Sequence, residues 1–168
     1  RKNLTNLFKA FDSFKSKTKS DVKLLIVGNK KWWKGEIEDT FNAMEYKNEV
    51  VFTGRIPLEE VNRIASASLS LVFVSFFEGF GLPLLEAYRS STAVITSNTS
   101  SMPEIAGEGA IYVNPYDVNS ICDAMIELYS NPSLRESLIR KGQEQAKKYS
   151  WDKTAELVWN AIEQVMKK

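Results

Sequence analysis

Short apolar runs alternate with segments of helical periodicity along the first two thirds of the chain. Five of the runs are rich in β-branched and aromatic residues and too short for buried helices, which predicts buried strands at residues 22–28, 49–54, 69–76, 93–98 and 110–115. Elsewhere in this part of the chain, apolar residues recur every three or four positions, which predicts helices at residues 2–14, about 36–46, 58–66, and from Pro83 onward. Such alternation is typical of a parallel sheet covered on both faces. The predicted fold class is therefore α/β, with a Rossmann-like, doubly wound parallel sheet.

The last third of the chain has a purely helical pattern. Asp117, Asn131 and Ser150 are each placed to cap a helix, and Pro132 suits the first position of the second one. The last helix carries one apolar stripe, formed by Trp151, Ala155, Val158, Ile162 and Val165. We interpret this stripe as core packing rather than as a surface for a partner. With no linker, repeat or low-complexity tract, residues 1–168 are predicted to form a single domain.

Composition narrows the class of protein. Hydrophobic residues make up 43% of the 168, and the net charge is +1, which is typical of a soluble globular protein and not of a disordered or nucleic-acid-binding one. No apolar run approaches the roughly 20 residues that cross a bilayer, and no secretory signal opens the sequence, so we expect a cytoplasmic protein. The lone Cys122 suits a reducing compartment. The absence of histidine excludes a histidine-based triad, metal site or general base within this chain.

The candidate chemistry is concentrated in residues 75–87, where a buried strand leads into a glycine-rich loop and then a helix. Two glycines flank Phe80 and let the backbone approach a ligand closely, and a proline follows in the first helical turn. The free amides of residues 79–82 lie at the positive end of the helix dipole and suit a phosphate. Carboxylates such as Glu78 and Glu86 accept paired hydrogen bonds from neighbouring sugar hydroxyls. A diphosphate between two sugars would use all of these groups, so the predicted ligand is a nucleotide sugar.

The same segment resembles the donor-site motif of retaining GT-B glycosyltransferases, in the glycosyl transferases group 1 family that contains many bacterial polysaccharide and lipopolysaccharide enzymes. That motif is a glutamate, seven residues and a second glutamate around Gly-Phe-Gly-Leu-Pro, and Glu78 and Glu86 match it residue for residue. The spacing alone would be weak, because Glu136 and Glu144 are equally far apart. Those two lie in a charged helical segment without a glycine loop, which is typical of a solvated face.

Further stretches resemble landmarks of the family along nearly the whole chain: residues 27–28, 52–54, 96–98, 100–104, 115–117 and 149–151. The resemblance implies the C-terminal, donor-binding half of a two-domain enzyme, without the N-terminal domain that holds most of the acceptor. It also implies that the family's first strand is missing, and that strand lies between the strands predicted at residues 22–28 and 69–76. We therefore expect these two strands to pair directly, or the gap to be filled by a neighbouring chain.

The resemblance also implies roles for individual residues. Glu78 would contact hydroxyls of the transferred sugar, and Glu86 the ribose diol. Main-chain groups for the sugar and diphosphate would come from Gly79, Phe80, Gly81 and Leu82. Lys2 resembles the family's phosphate-binding lysine, whereas Arg1 does not stand where the partner arginine would. The nucleobase would be contacted, partly through main chain, by Gly54, Arg55 and Ile56, and the Arg55 side chain either stacks on the base or is solvated.

The implied reaction transfers a hexose from a UDP-, GDP- or ADP-sugar to a glycan or lipid-linked acceptor with retention at the anomeric carbon, and requires no metal or other cofactor. Lys2 and the helix amides would stabilise charge on the leaving diphosphate. Glu78 is not assigned as a nucleophile, because the glycosidase arrangement needs two carboxylates flanking one bond. The alternatives are a nucleotide-sugar epimerase or hydrolase of the same fold, and a non-enzymatic nucleotide-binding module.

The remaining expectations concern partners and residues without a firm role. The isolated chain is expected to be inactive, to bind no nucleic acid and to self-associate weakly through the rim of the donor cleft, near Phe80. Peripheral attachment of the full-length protein to the inner face of a membrane stays open. Glu104 is interpreted as a helix-start carboxylate. Trp32 and Trp33 form either a sugar platform or ordinary packing.

Overall fold

The computed structural model describes residues 1–29 and 34–167. The strands are β1 (Leu24–Val27), β2 (Val50–Gly54), β3 (Ser70–Phe73), β4 (Ala93–Ser97) and β5 (Ala110–Val113). The helices are α1 (Leu4–Thr18), α2 (Glu36–Ala43), α3 (Leu58–Ala67), α4 (Leu82–Arg89), α5 (Met102–Ala106), α6 (Val118–Ser130), α7 (Pro132–Ala146) and α8 (Trp151–Met166). Every predicted strand and helix is present, with bounds that differ from the prediction by a few residues. The alternatives left open for Trp32 and Trp33 fall outside the described residues.

All strand pairs are parallel, as the apolar runs predicted, but they form two separate sheets. Strand β1 pairs with β2, and β3, β4 and β5 pair in that order. The prediction that β1 would pair directly with β3 is therefore wrong. Among the described residues neither strand has a neighbour on that side, and Leu25 and Val27 of β1 are exposed. That a neighbouring chain fills the gap, the other alternative, stays a prediction.

Helix α1 explains why the two sheets can share a core without pairing with each other. Its side chains Phe8, Phe11 and Phe14 are buried. The centre of the Phe8 ring lies 5.6 Å from that of Phe41 in α2, the helix that follows β1. The centre of the Phe14 ring lies 5.6 Å from that of Tyr129 in α6, the helix that follows β5. The helix thus packs against a helix that follows a strand of each sheet, and side-chain packing in one apolar cluster rather than strand pairing joins the two sheets.

A second core cluster lies between β4, α4, α5 and α7, around the fully buried Tyr88. The Tyr88 hydroxyl donates to the carbonyl of Ala106, 3.0 Å away. Helix α7 crosses this ring at Gly142, where an added Cβ would lie 2.3 Å from a Tyr88 ring carbon. Only glycine permits that approach, so Gly142 fixes α7 against α4. Helix α4 carries one end of the candidate site.

The apolar stripe of α8 is exposed, so its interpretation as core packing is wrong. Ser150 caps the helix as predicted, since its side chain accepts from the Lys153 amide. Trp151, Val158 and Val165 are nevertheless 73%, 55% and 75% exposed. Periodicity shows that these residues share a face, but it does not show what covers the face.

Weak self-association of the chain stays a prediction. No helix in the described ranges combines the length and hydropathy needed to cross a membrane.

Candidate active site

The segment between β3 and α4 forms the strand, glycine loop and helix start that the sequence predicted. Gly81 stands at the N-cap with φ 109°, a left-handed conformation that favours glycine, and Pro83 lies in the first turn of α4. The Glu78 amide donates to the Ser100 hydroxyl at 3.0 Å. The next four amides, at residues 79–82, donate to no acceptor in the part of the chain that the structure describes. The helix start therefore offers four N–H groups to a ligand.

A row of hydroxyl side chains, at the end of β4 and directly after it, holds this loop in place. Each donates to a main-chain carbonyl of residues 73–80: Thr96 to Phe73, Ser97 to Ser75, Thr99 to Phe76, Ser100 to Glu78, and Ser101 to Glu78 and Phe80. Apart from Glu104, no role was predicted for the landmark residues 96–98 and 100–104. Five hydroxyl residues within six positions, at the end of a buried strand and directly after it, were the signal that could have revealed this role.

The Glu78 carboxylate is the centre of a small charged cluster. One of its oxygens accepts from Ser75 Oγ and from Lys2 Nζ, each at 2.8 Å, and the other accepts from Arg1 Nη1 at 3.2 Å. The Glu78 side chain is only 10% exposed, whereas those of Lys2 and Arg1 are 49% and 61% exposed. The structure therefore brings Lys2 and Glu78 into one site. Arg1, which had no predicted role, lies in the same site.

The start of α1 positions these two cations at the carboxyl end of the strands. Asn3, in a left-handed conformation before α1, donates through Nδ2 to the carbonyls of Val74, at 2.9 Å, and Pro115, at 2.7 Å. These two residues follow β3 and β5. The Lys2 ammonium lies 4.5 Å from the centre of the Phe73 ring. Open α/β sheets bind their ligands at this edge, so the cluster is placed where a ligand would be expected.

The charged cluster alters the acidity of Glu78. Burial raises the pKa of its carboxyl, but hydrogen bonds from Lys2 and Ser75, together with the charges of Lys2 and Arg1, outweigh burial and hold the pKa below its ordinary value. The folded state thus binds the proton less tightly than the unfolded state. Ionised Glu78 therefore stabilises the fold above its unfolded pKa, and this contribution is lost as the pH falls through the folded pKa.

Replacing Lys2 with methionine is expected to raise the pKa of Glu78, because the substitution removes both a hydrogen bond and a positive charge from the carboxylate. The measurement is an NMR titration of the Glu78 carboxyl carbon in the parent chain and in Lys2→Met. Lys147→Met is the matched control, since Lys147 pairs with the exposed Glu144 of α7 and not with Glu78. A Glu78 midpoint that is the same in the parent and in Lys2→Met would contradict the geometry.

Glu86 lies in a different environment from Glu78. It stands in the second turn of α4 and lines a groove of about 600 Å³ formed by α3, α4 and Trp151 at the start of α8. Its carboxylate has no hydrogen-bond or ion-pair partner among residues 1–29 and 34–167. Glu78 does not line this groove. The two carboxylates of the motif therefore flank the glycine loop without sharing a pocket.

The loop after β2 contains Gly54, Arg55 and Ile56, the residues predicted to contact the nucleobase. Gly54 has φ 68°, and its carbonyl accepts from the Gly28 amide at 2.9 Å, which closes the carboxyl ends of β1 and β2 together. The Arg55 side chain is exposed, with no partner in the described part of the chain, and Ile56 is half-buried.

Glu104 lies in the first turn of α5, as its helix-start interpretation requires. No three acidic or cysteine side chains of the described residues cluster as metal ligands would.

The fold is that of the GT-B glycosyltransferases. A sucrose-phosphate synthase from Thermosynechococcus elongatus superposes with a TM-score of 0.86 at 24% identity, covering 99% of this chain and 43% of that one. The C-terminal domain of a group 1 family protein, LpcC from Francisella tularensis, superposes with a TM-score of 0.74 at 26% identity, covering 88% of this chain and 78% of that one.

The sequence places the chain within this class. The family model for glycosyl transferases group 1 matches residues 1–145, so the chain belongs to that family. It is 29% identical to O-antigen chain mannosyltransferase B of Escherichia coli over 161 residues, which is 96% of this chain and 42% of the relative. It is 33% identical to the serotype-specific mannosyltransferase WbdA of Escherichia coli over 111 residues, 66% of this chain and 14% of the relative. The chain thus spans less than half the length of these curated relatives.

Proposed function

We propose that this chain is the donor-binding half of a retaining hexosyltransferase that uses a nucleoside diphosphate sugar. The observation that carries the proposal is the placement of Lys2 Nζ 2.8 Å from the Glu78 carboxylate, next to four main-chain amides that have no acceptor among the described residues. A cation and a helix N-terminus suit a diphosphate, and an ionised carboxylate beside them suits sugar hydroxyls. Membership of the family supports glycosyl transfer as the reaction.

Diphosphate binding would use the helix start and Lys2 together. The amides of residues 79–82 supply N–H groups at the positive end of α4, and Lys2 supplies a positive charge that a ligand can reach, since half of its side chain is exposed. As the bond between sugar and diphosphate breaks, negative charge grows on the diphosphate oxygens. Groups already aimed at that position stabilise the developing charge without further reorganisation, and this is the contribution we assign to Lys2.

Each of the two carboxylates would contact one of the two sugars of the donor. Glu78, held by Lys2, Arg1 and Ser75, would accept from hydroxyls of the transferred hexose. Glu86 would accept from the ribose diol in the groove between α3 and α4, whose volume of about 600 Å³ falls within the roughly 300–1,000 Å³ of small-molecule clefts. Because relatives are named as mannosyltransferases, mannose is the hexose we propose first. A glycan or lipid-linked acceptor would be bound mainly by the rest of a longer protein.

The test is calorimetric titration of the chain with UDP, GDP, ADP and FMN, followed by the monophosphate of whichever nucleotide binds. We expect at least one nucleoside diphosphate to bind, and its monophosphate to bind at least about tenfold more weakly, because charge-assisted hydrogen bonds to the second phosphate are lost. Binding of FMN without any nucleoside diphosphate, or equal affinity for monophosphate and diphosphate, would overturn the proposal.

A further inference from the structure

An exposed pair of aromatic rings lies beside the charged cluster. The rings of Phe76 and Tyr116 are stacked, with centroids 4.8 Å apart and planes inclined by 25°. Phe76 is half-buried, but Tyr116 is 69% exposed. We propose that Phe76 and Tyr116 form a stacking surface for a sugar ring of the acceptor, next to the hexose held by Glu78. This inference rests on the proposed function.

The backbone beneath the pair is held rigidly. The Asn3 side chain bridges the carbonyls of Val74 and Pro115, which are close in sequence to the two rings. Asn6 adds a second hydrogen bond to the Pro115 carbonyl at 2.9 Å. The Phe76 amide donates to the Arg1 carbonyl at 3.0 Å. Hydrogen bonds that anchor the backbone, together with the stacking of one ring on the other, give a preorganised contact surface, which lowers the entropy lost on binding.

Arg1 connects the two rings to the candidate site. Arg1 accepts from the Phe76 amide through its carbonyl, and its guanidinium lies 3.2 Å from the Glu78 carboxylate. Phe76 also precedes Glu78 by only two positions in the loop. A sugar stacked on the rings would therefore lie within reach of the hexose that Glu78 is proposed to hold.

The chemistry of the pair suits a pyranose. One face of a pyranose ring presents C–H groups, which pack on an aromatic face, while the hydroxyls at its edge need hydrogen-bond partners. The Tyr116 hydroxyl has no partner among the described residues, so it can serve a sugar hydroxyl. The groups proposed for the donor are already used: amides and Lys2 for the diphosphate, Glu78 for the hexose, Glu86 for the ribose. Neither ring lines the groove that contains Glu86, which leaves the pair for the second substrate.

The test uses this chain and four probes, the methyl α-glycosides of mannose, glucose, galactose and N-acetylglucosamine, with the ring resonances of Phe76 and Tyr116 followed by NMR. We expect at least one glycoside to shift both sets of resonances, with or without saturating nucleoside diphosphate. Tyr116→Ala is expected to raise the dissociation constant of that glycoside about fivefold or more, and Tyr116→Phe to raise it less, since the stack is retained. The affinity for nucleoside diphosphate should not change in either variant.

Tyr129→Ala is the matched control. Tyr129 also belongs to an aromatic pair, with the buried Phe14, and is itself 37% exposed. It lies near the C-terminal end of α6, about 16 Å along the helix axis from the start of the helix, which Tyr116 precedes by two residues. The substitution should leave glycoside binding unchanged. No glycoside response, an equal loss in Tyr129→Ala, or a parallel loss of nucleotide affinity in Tyr116→Ala would overturn the inference. The calorimetric titration reports on the proposed function separately, so the two can fail independently.

Discussion

Replacing Glu78 with glutamine, in a full-length glycosyltransferase of which this chain is proposed to be the donor-binding half, is expected to lower the transfer rate by roughly 10- to 150-fold, the equivalent of about 1.5–3 kcal/mol for charge-assisted hydrogen bonds. The loss should appear in turnover, because the proposed partner of Glu78 is the sugar that changes charge in the reaction. Nucleoside diphosphate affinity should not fall, since the substitution releases the Lys2 ammonium from an ion pair and leaves it free for phosphate.

The fold should survive this change. Glutamine can still accept from Ser75 Oγ, and the two cations it leaves unpaired are about half exposed, so water can solvate them. Thermal unfolding of the chain checks this point, while steady-state rates and calorimetry check the separation of turnover from affinity. The controls are Glu136→Gln and Glu144→Gln, which have the same spacing on the exposed side of α7 and should change neither quantity. If Glu78→Gln transfers at the parental rate, its assignment to the hexose is wrong.

Local signals in the sequence sufficed for the elements that build the site. The β-branched run before residue 76, the glycine at position 81 and the proline at position 83 each act within a few residues, and together they gave the strand, loop and helix that the structure contains. The caps at Asp117 and Asn131 were predictable for the same reason, because each side chain accepts from an amide two or three residues later.

Contacts between distant residues could not be predicted in this way. Arg1 and Glu78 are 77 positions apart, and their ion pair depends on how Asn3 anchors the start of α1 beneath β3 and β5. That β1 pairs with β2 and not with β3 is likewise a relation between distant segments, which the apolar runs do not encode. The exposed stripe of α8 has the same origin: a helical pattern predicts an apolar face, while the covering surface is a property of the assembled molecule.

Glu86→Gln is expected to weaken nucleoside diphosphate binding by roughly 10- to 150-fold, again the equivalent of about 1.5–3 kcal/mol. The carboxylate is unpaired in the described part of the chain and lines the groove, so it is free to accept from both ribose hydroxyls at once. Ribose is unchanged by the reaction, so this contact stabilises ground state and transition state alike, and turnover at saturating donor should fall much less than affinity. Glutamine retains the shape of the side chain, which makes it a cleaner probe than alanine.

Two comparisons make this test specific to the ribose. Glu59→Gln removes another carboxylate of the same groove, one that is already paired with Arg63 at 2.5 Å, and should have little effect on affinity. The parent should also bind the 2′-deoxy form of its nucleoside diphosphate more weakly than the ribose form, because one of the two hydrogen bonds to Glu86 is lost. In Glu86→Gln that preference should largely disappear, since the charged acceptor is no longer there. A preference that persists undiminished in Glu86→Gln would place the ribose elsewhere, even if overall affinity had fallen.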